Sequence, residues 1–434
     1  WPIRIIYSNK MKESIHIHDF GPLRCVRIDD IKPLTVLIGD SASGKSTLMK
    51  VIAMMRYLCK RANINAYNAT SRIKIDSIEE DESIIEEDES MIEENDSIDE
   101  YFYKIWKGAL LMISPDTFIE YTVYTPNGGE YSYVFFGPDY HFLTPRDNFN
   151  HSIRNEDLVF FKESFISETR SLIPEWYTRG AAARGGGMGY YFNETFDDFF
   201  RAMEQVNEQP LDYLGMKMYV QQVFMQKELL VKYENPKDED LELVNVVLRN
   251  ASSGIQTSAP LMTIVRYFAH EFSFTDAFQR SVLSSLLNKG RLTQFRPKVD
   301  LQNIPKHIHI YIEEPELSLD PKTQCLFIND LIREAFYRGD NKRPADGRQL
   351  GLMFATHSPY ILNHLNVLLK ASYNEKAREH YPYINPDEIA VYRLHDGEVH
   401  SLVEDDEETG ERIIDTYKFS ETMEWILDKY ESVD

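Results

Sequence analysis

The chain has 434 residues, 43% of them apolar and 27% charged, and a formal net charge of −23. No apolar run approaches the ~18 residues of a bilayer span, which excludes a helical membrane protein, and Cys25, Cys59 and Cys325 stand alone at no metal-ligand spacing, which excludes a disulfide frame or a zinc module and suits a cytoplasmic protein. The charge is uneven: residues 77–100 hold thirteen acids and neither Lys nor Arg, leaving −10 for the rest, so net charge alone does not exclude a basic face for nucleic acid.

The opening Trp1-Pro2-Ile3-Arg4 lacks a signal-peptide pattern, and a start on Trp leads us to expect a longer translated product. Residues 34–38, Leu-Thr-Val-Leu-Ile, predict a buried parallel strand, and Leu48, Val51, Ile52, Met55 and Leu58 recur at helical spacing. Between them, Gly39-Asp40-Ser41-Ala42-Ser43-Gly44-Lys45-Ser46 fits G-x-x-x-x-G-K-[ST]. Two glycines let the backbone turn its N–H groups inward, and the new helix adds the positive end of its dipole, so the run predicts a triphosphate cradle. The expected binding set is Gly39, Ser41, Ser43, Gly44, Lys45, Ser46 and Thr47, with Lys45 on the β- and γ-phosphates of ATP and Ser46 on Mg²⁺.

Residues 62–105 read as an acidic insertion carrying a seven-residue repeat. Acids without cationic partners repel one another, so the segment is either solvated and disordered or an acidic arm for a basic partner. Residues 117–124 and 130–136 alternate apolar and polar side chains around Thr125-Pro126-Asn127-Gly128-Gly129, a hairpin within a lobe spanning 106–160. The glycine-rich run 179–189, with Arg179 and Arg184, reads as a mobile loop or as a phosphate contact. From 194 to about 232 the stripe Phe196, Phe199, Phe200, Met203, then Tyr219, Val223, Phe224 and Leu230, predicts short helices, a helical insertion over 190–245.

Ser252-Ser253-Gly254-Ile255-Gln256 opens an apolar helix whose small residues leave N–H groups bare for an anion. Residues 308–312 form a strand ending in Glu313-Glu314-Pro315-Glu316; Glu313 is expected on the metal and Glu314 on the attacking water. Asp320 and Pro321 supply N-cap and N1 of the next helix. Strand 351–355 then delivers Thr356-His357-Ser358-Pro359, placing His357 where it can donate to a γ-phosphate oxygen and Ser358 as a cap. The tail, 380–434, predicts strands near 388–394 and 398–403 and a helix.

These motifs, in this order, resemble the ABC-type ATPase heads: Walker A at Gly39 to Ser46, a signature at Ser253, Gly254 and Gln256, Walker B ending at Glu313 and Glu314, a D-loop at Ser318-Leu319-Asp320 and a switch histidine at His357. The wording Ile312-Glu313-Glu314-Pro315-Glu316 and Thr356-His357-Ser358-Pro359, with Phe20-Gly21-Pro22-Leu23 upstream, is similar to SMC-like, RecF-like and overcoming-lysogenization-defect-like ATPases. The resemblance covers about residues 15–58 and 251–362 and implies an α/β ABC-ATPase head with a mixed sheet, a P-loop core and inserted helical and hairpin lobes, the whole chain forming one head.

It further implies head-to-tail homodimers, or higher oligomers, in which Ser253 and Gly254 of one copy close on the γ-phosphate held by Lys45 of the other, with Glu314 and His357 catalytic and Gln256 and Asp320 completing the nucleotide site. Two departures stand out: the first Walker B acid is Glu313 rather than Asp, which slows the expected turnover, and the motifs locate no Q-loop glutamine, Gln221 and Gln222 being no more than candidates. The chain has no room for SMC coiled coils, and nothing after residue 362 resembles a Toprim nuclease. The resemblance therefore points to the ATPase subunit of a two-component antiphage system, of Septu or PARIS type, working with a separate nuclease or toxin effector and reaching nucleic acid through that complex. A RecF-like repair ATPase and an ATP-bound assembly scaffold with little turnover are the alternatives.

Overall fold

The structure is a computed structural model that describes residues 11–70, 109–137, 141–143, 153–179, 190–206, 208–223, 226–233, 245–288, 300–338, 342–417 and 420–432. The acid-rich repeat and the glycine-rich run from 180 to 189 lie outside them. The chain sorts into two compact units, one of Trp1–Ile31, Lys50–Lys162 and Ser273–His307, the other of Lys32–Met49, Glu163–Phe272 and Ile308–Asp434. Strands and helices are numbered along the chain, with Ile173–Arg179 as α2 and Phe274–Asn288 as α5.

In the first unit β1 (Lys12–Phe20) and β2 (Leu23–Ile28) form an antiparallel hairpin, and β1 pairs on its other side with β4 (Ile113–Tyr124), so that Ile15 faces both Ile28 and Tyr121. β4 pairs with β5 (Glu130–Phe136), the hairpin expected at these positions, and β5 with the short β6 (His141–Leu143). Period-two alternation makes this register specific: a one-residue slip would expose Ile15, Ile17 and Ile119, all fully buried. One polar exception is a buried knot in which Glu13 accepts from Arg56 Nε (3.0 Å) and Nη2 (2.5 Å) and from the Tyr121 hydroxyl. Arg56 belongs to α1 (Lys45–Thr70), which runs nine residues into the segment expected to be an acidic insertion. The acids begin later, so residues 62–70 still carry helix-compatible side chains such as Asn63, Ala66 and Tyr67 that bury.

The second unit is built on a mixed sheet with neighbour order β15–β14–β3–β13–β12–β7. Here β3 (Leu34–Gly39) lies between two parallel neighbours, Val36 facing Phe354 of β13 (Gln349–Thr356) and Val391 of β14 (Ile389–His395). Strands buried on both faces carry apolar side chains on both, which is why β3 and residues 308–312 of β12 (Lys306–Glu313) were legible. β15 (Glu398–Ser401) returns antiparallel beside β14, as the tail predicted, and β7 (Phe160–Ile166) lies beside β12. The α/β class and mixed sheet are thus as expected.

The helical insertion expected over 190–245 is a correction. Among the described residues of that span, α3 (Tyr190–Gln205) and a short 3₁₀ turn, Asp212–Leu214, are helical; β8 (Glu208–Leu211), β9 (Met216–Val223), β10 (Gln226–Tyr233) and β11 (Val246–Val247) make a separate antiparallel sheet. A spacing of four, as between Tyr219 and Val223, satisfies a strand face as well as a helix face, and the buried pair Met216 and Met218 carries the period of two. Among the described residues no helix is long and apolar enough to cross a membrane.

Candidate functional site

The site lies in the second unit, where the ends of β3, β13 and β12 stand in that spatial order. Gly39 closes β3 with φ of +154°, and a Cβ there would lie 2.4 Å from the Leu394 carbonyl oxygen and 2.8 Å from Ser43 Oγ, so only glycine lets the loop turn against β14. Ala42 (φ +65°) and Gly44 (φ +99°) are left-handed and swing the chain into α1. The Leu48 N–H reaches Gly44 O at 2.8 Å and starts the helix ladder; the N–H groups of Lys45, Ser46 and Thr47 precede any intrahelical acceptor and form the anion-seeking end. No acid stands in the first turn of α1 to compete with a phosphate.

Lys45 is buried, its Nζ donating to the carbonyls of Gly39 (2.9 Å) and Asp40 (2.8 Å) and lying 3.5 Å from Ser43 Oγ. Burial lowers its pKa, while the charges of Asp40, Glu314 and Glu316 act in the opposite sense. The Lys45 loop and the strand-end acids therefore share one electrostatic neighbourhood. Ser46 and Thr47 are half-buried and Ser41 is exposed.

β12 is buried along its whole length and ends at Glu313, itself buried. Glu314 then takes a left-handed φ of +46° while its N–H donates to Ala355 O of β13 at 2.9 Å. A left-handed non-glycine residue is held only where its surroundings over-determine it, and here the holding group is Arg170, in the turn Glu168–Leu172 after β7. Its fully buried guanidinium donates to four main-chain carbonyls: Ser167 (3.1 Å), Thr257 (3.2 Å), Glu313 (2.7 Å) and Glu314 (2.5 Å). Burial draws its pKa down to about 10, against the nearby charges of Glu316, Glu314, Glu168 and Glu313, so it stays charged at neutral pH. Sequence reasoning missed Arg170 because its partners are main-chain atoms distant in sequence, which no residue pattern announces.

The serine-glycine lip opens α4 (Ser253–Arg266). Ser252 and Ser253 are exposed, and Ser252 makes no side-chain cap bond. Gly254 is buried: a Cβ there would meet Ser318 O at 2.7 Å. One turn on, Thr257 Oγ1 donates to Leu317 O (2.9 Å), so the lip is stitched to the acid loop of its own chain. Gln256 spends its amide on the carbonyls of Arg249 (2.8 Å) and Ala251 (2.9 Å), shaping the turn that delivers the lip. Asp320 caps α6 (Pro321–Ala335), accepting from Lys322 N (3.1 Å) and Thr323 N (3.2 Å), the cap expected for it.

His357, after β13, is exposed at the sheet end, and its main chain is held by Glu316, whose Oε1 accepts from His357 N (2.7 Å) and Thr356 Oγ1 (2.8 Å). Ser358 caps α7 (Pro359–Ser372) through Ile361 N (3.3 Å) and donates to Gln324 Oε1 (2.6 Å). Gln221 and Gln222 lie within β9 opposite Glu228 and Lys227 of β10.

A magnesium triphosphate fits these residues. The loop offers a cation, hydroxyls and unpaired helix N–H groups for phosphate oxygens; the Ser46 hydroxyl and the Glu313 carboxylate are hard oxygen donors of the kind Mg²⁺ takes.

No protein-family model matches the chain, and no curated protein matches it. Among solved structures it is similar to the SMC head domain from Thermotoga maritima (TM-score 0.34, 11% identity, covering 90% of this chain and 98% of that one). It is also similar to the Smc head domain with an extended coiled coil bound to the C-terminal domain of ScpA, derived from Pyrococcus furiosus (0.32, 10%, 96% and 100%). A third likeness is to an ATP-binding cassette in a dimeric post-hydrolysis state bound to ADP and Pi (0.27, 13%, 89% and 96%). TM-scores of this size assign the chain to no family.

Proposed function

We propose that the chain is an ATP-binding and ATP-hydrolysing head of ABC type, working as the sensor or regulatory subunit of a complex whose chemistry on its target is done by a second protein. The observation that carries this reading is Lys45, buried in a loop of left-handed turns at a helix start and lying within the field of the Glu314 and Glu316 carboxylates.

Lys45 and the first N–H groups of α1 hold the β- and γ-phosphates. Ser46 and Glu313 hold Mg²⁺, which when bound neutralises charge developing on the phosphate oxygens. Glu314 accepts a proton of the attacking water as its oxygen bonds to the γ-phosphorus and the bond to the β-bridging oxygen breaks, giving ADP and phosphate. His357 donates to a γ-oxygen from the end of β13. The exposed Ser253 on a glycine-tight helix start is suited to a neighbouring copy's phosphate, which makes the working unit a head-to-tail dimer.

A phosphate-release assay with parallel nucleotide binding tests the reading. Lys45→Ala should weaken ATP binding by about 2–3 kcal/mol, roughly 30- to 150-fold, by removing a charged donor. Wild-type affinity in that variant would remove the basis of the proposal. A second reading, an assembly scaffold with little turnover, is favoured by Glu313 standing where Asp is usual, since the longer arm shifts the metal. In that case Glu314→Gln would leave cellular function intact. The effector, a nuclease or toxin in our reading, is sought by co-expressing the products of adjacent reading frames with Glu314→Gln.

A further inference from the structure

The strand-end loop carries a third acid for which the mechanism above has no use. Glu316 Oε1 takes two donors, the Thr356 hydroxyl and the His357 N–H. Its Oε2 is buried with no hydrogen-bond partner. A buried carboxylate oxygen without a donor is costly unless a donor arrives in the working state. The cations facing this carboxylate do not meet that need: Arg170 gives its donors to main-chain carbonyls, and Lys45 gives its own to Gly39 and Asp40. Yet the charge of Glu316 is felt at both, so its carboxylate lies near Lys45 as well as Arg170.

We propose that Glu316 is a positioning residue with one task for each oxygen: Oε1 fixes the main chain that aims His357, and Oε2 accepts a hydrogen bond from a water carried in with the magnesium-bound triphosphate. This rests on the reading of the Lys45 loop as a triphosphate site. Mg²⁺ gives up its water reluctantly and usually keeps several when bound to phosphates, so a second carboxylate beyond the direct ligand has a donor to meet. The arrangement makes nucleotide loading and His357 placement two ends of one rigid carboxylate. Glu316 thereby differs from Glu314, whose left-handed main chain is held by Arg170.

The test is Glu316→Gln, which keeps an oxygen for Thr356 and His357 and replaces the second oxygen with a donor. Binding of a fluorescent ATP analogue is measured with Mg²⁺ and with EDTA. The metal-free affinity should match wild type, and the gain in affinity on adding Mg²⁺ should shrink at least tenfold. Glu316→Ala should lose that gain and also at least tenfold in turnover, and Glu316→Gln should restore the turnover because its amide oxygen still accepts from Thr356 and His357. Equal Mg²⁺ dependence in Glu316→Gln and wild type overturns the proposal. Lys45→Ala, run alongside, separates the two levels: if it binds as wild type does, the triphosphate reading itself fails; if it alone loses binding, only the role of Glu316 fails. A crystal structure of the wild-type chain with a non-hydrolysable ATP analogue and Mg²⁺ does not depend on any variant's folding. A water about 2.6–3.0 Å from Glu316 Oε2 is expected, and an Oε2 turned onto a protein donor contradicts the proposal.

Discussion

Replacing Arg170 by Met keeps most of the buried stem and removes the guanidinium donors to four carbonyls, those of Ser167, Thr257, Glu313 and Glu314. Hydrogen bonds from a charged donor contribute roughly 1.5–3 kcal/mol each, a gross loss of about 6–12 kcal/mol. Against this, the variant no longer buries a cation. The cost of that burial is visible in the fall of the Arg170 pKa from the ordinary guanidinium range to about 10 and corresponds to roughly 3 kcal/mol. Water entering the site recovers part of the rest, so a net loss of about 3–5 kcal/mol is expected, in line with breaking other buried charged contacts. For a unit of this size that lowers the melting temperature by about 10 °C. Differential scanning calorimetry reads the shift, and a phosphate-release assay should show turnover falling at least tenfold, because the Glu314 main chain has lost its clamp, while ATP affinity changes less than threefold. Arg170→Lys, with one amine for four acceptors, should fall between the two. A melting point within 2 °C of wild type together with unchanged turnover would refute the claim that this guanidinium holds the acid loop.

Glu314→Gln should retain ATP binding and lose ~10²–10⁴-fold in hydrolysis, the range for removing a general base, as measured by single-turnover phosphate release. Gly254→Ala pushes a methyl into the Ser318 carbonyl and should cost about 1–3 kcal/mol by thermal melt, with loss of the Thr257 to Leu317 bond that joins lip to acid loop. His307, buried near Glu13 and Arg56, has its pKa lowered from 6.5 to about 4 by burial. The unfolded chain therefore takes up the proton first, and the stability this residue contributes is present above pH 6.5 and lost as pH falls toward 4, by about 3 kcal/mol. Urea unfolding of wild type and His307→Leu across pH 4–7.5 should show that difference, and parallel curves would contradict it.

The phosphate loop was legible because its chemistry depends on local order: a doubly buried strand, glycines at two of the three positions with positive φ, and a helix beginning at Lys45. The β4–β5 hairpin and the caps at Asp320 and Ser358 were legible for the same reason, each resting on contacts within a few residues. What could not be read depends on distance in sequence. Arg170 meets Thr257 and Glu313 only through the fold, and the strands at 208–233 share their spacing of four with a helix until the burial of Met216 and Met218 decides the period. Glu316 stood in plain view in the acid loop, but its two-donor hold on the chain at His357 needed β12 and β13 side by side.

Light-scattering mass of Glu314→Gln with and without ATP and Mg²⁺ reaches the central claim most directly, since it joins the Lys45 loop, the water-activating acid and the exposed lip in one readout. The account predicts that ATP doubles the mass and that adding Ser253→Arg to the same chain abolishes the doubling while ATP still binds. A chain that holds ATP yet stays at monomer mass, or that dimerises equally well with Ser253→Arg, would contradict it.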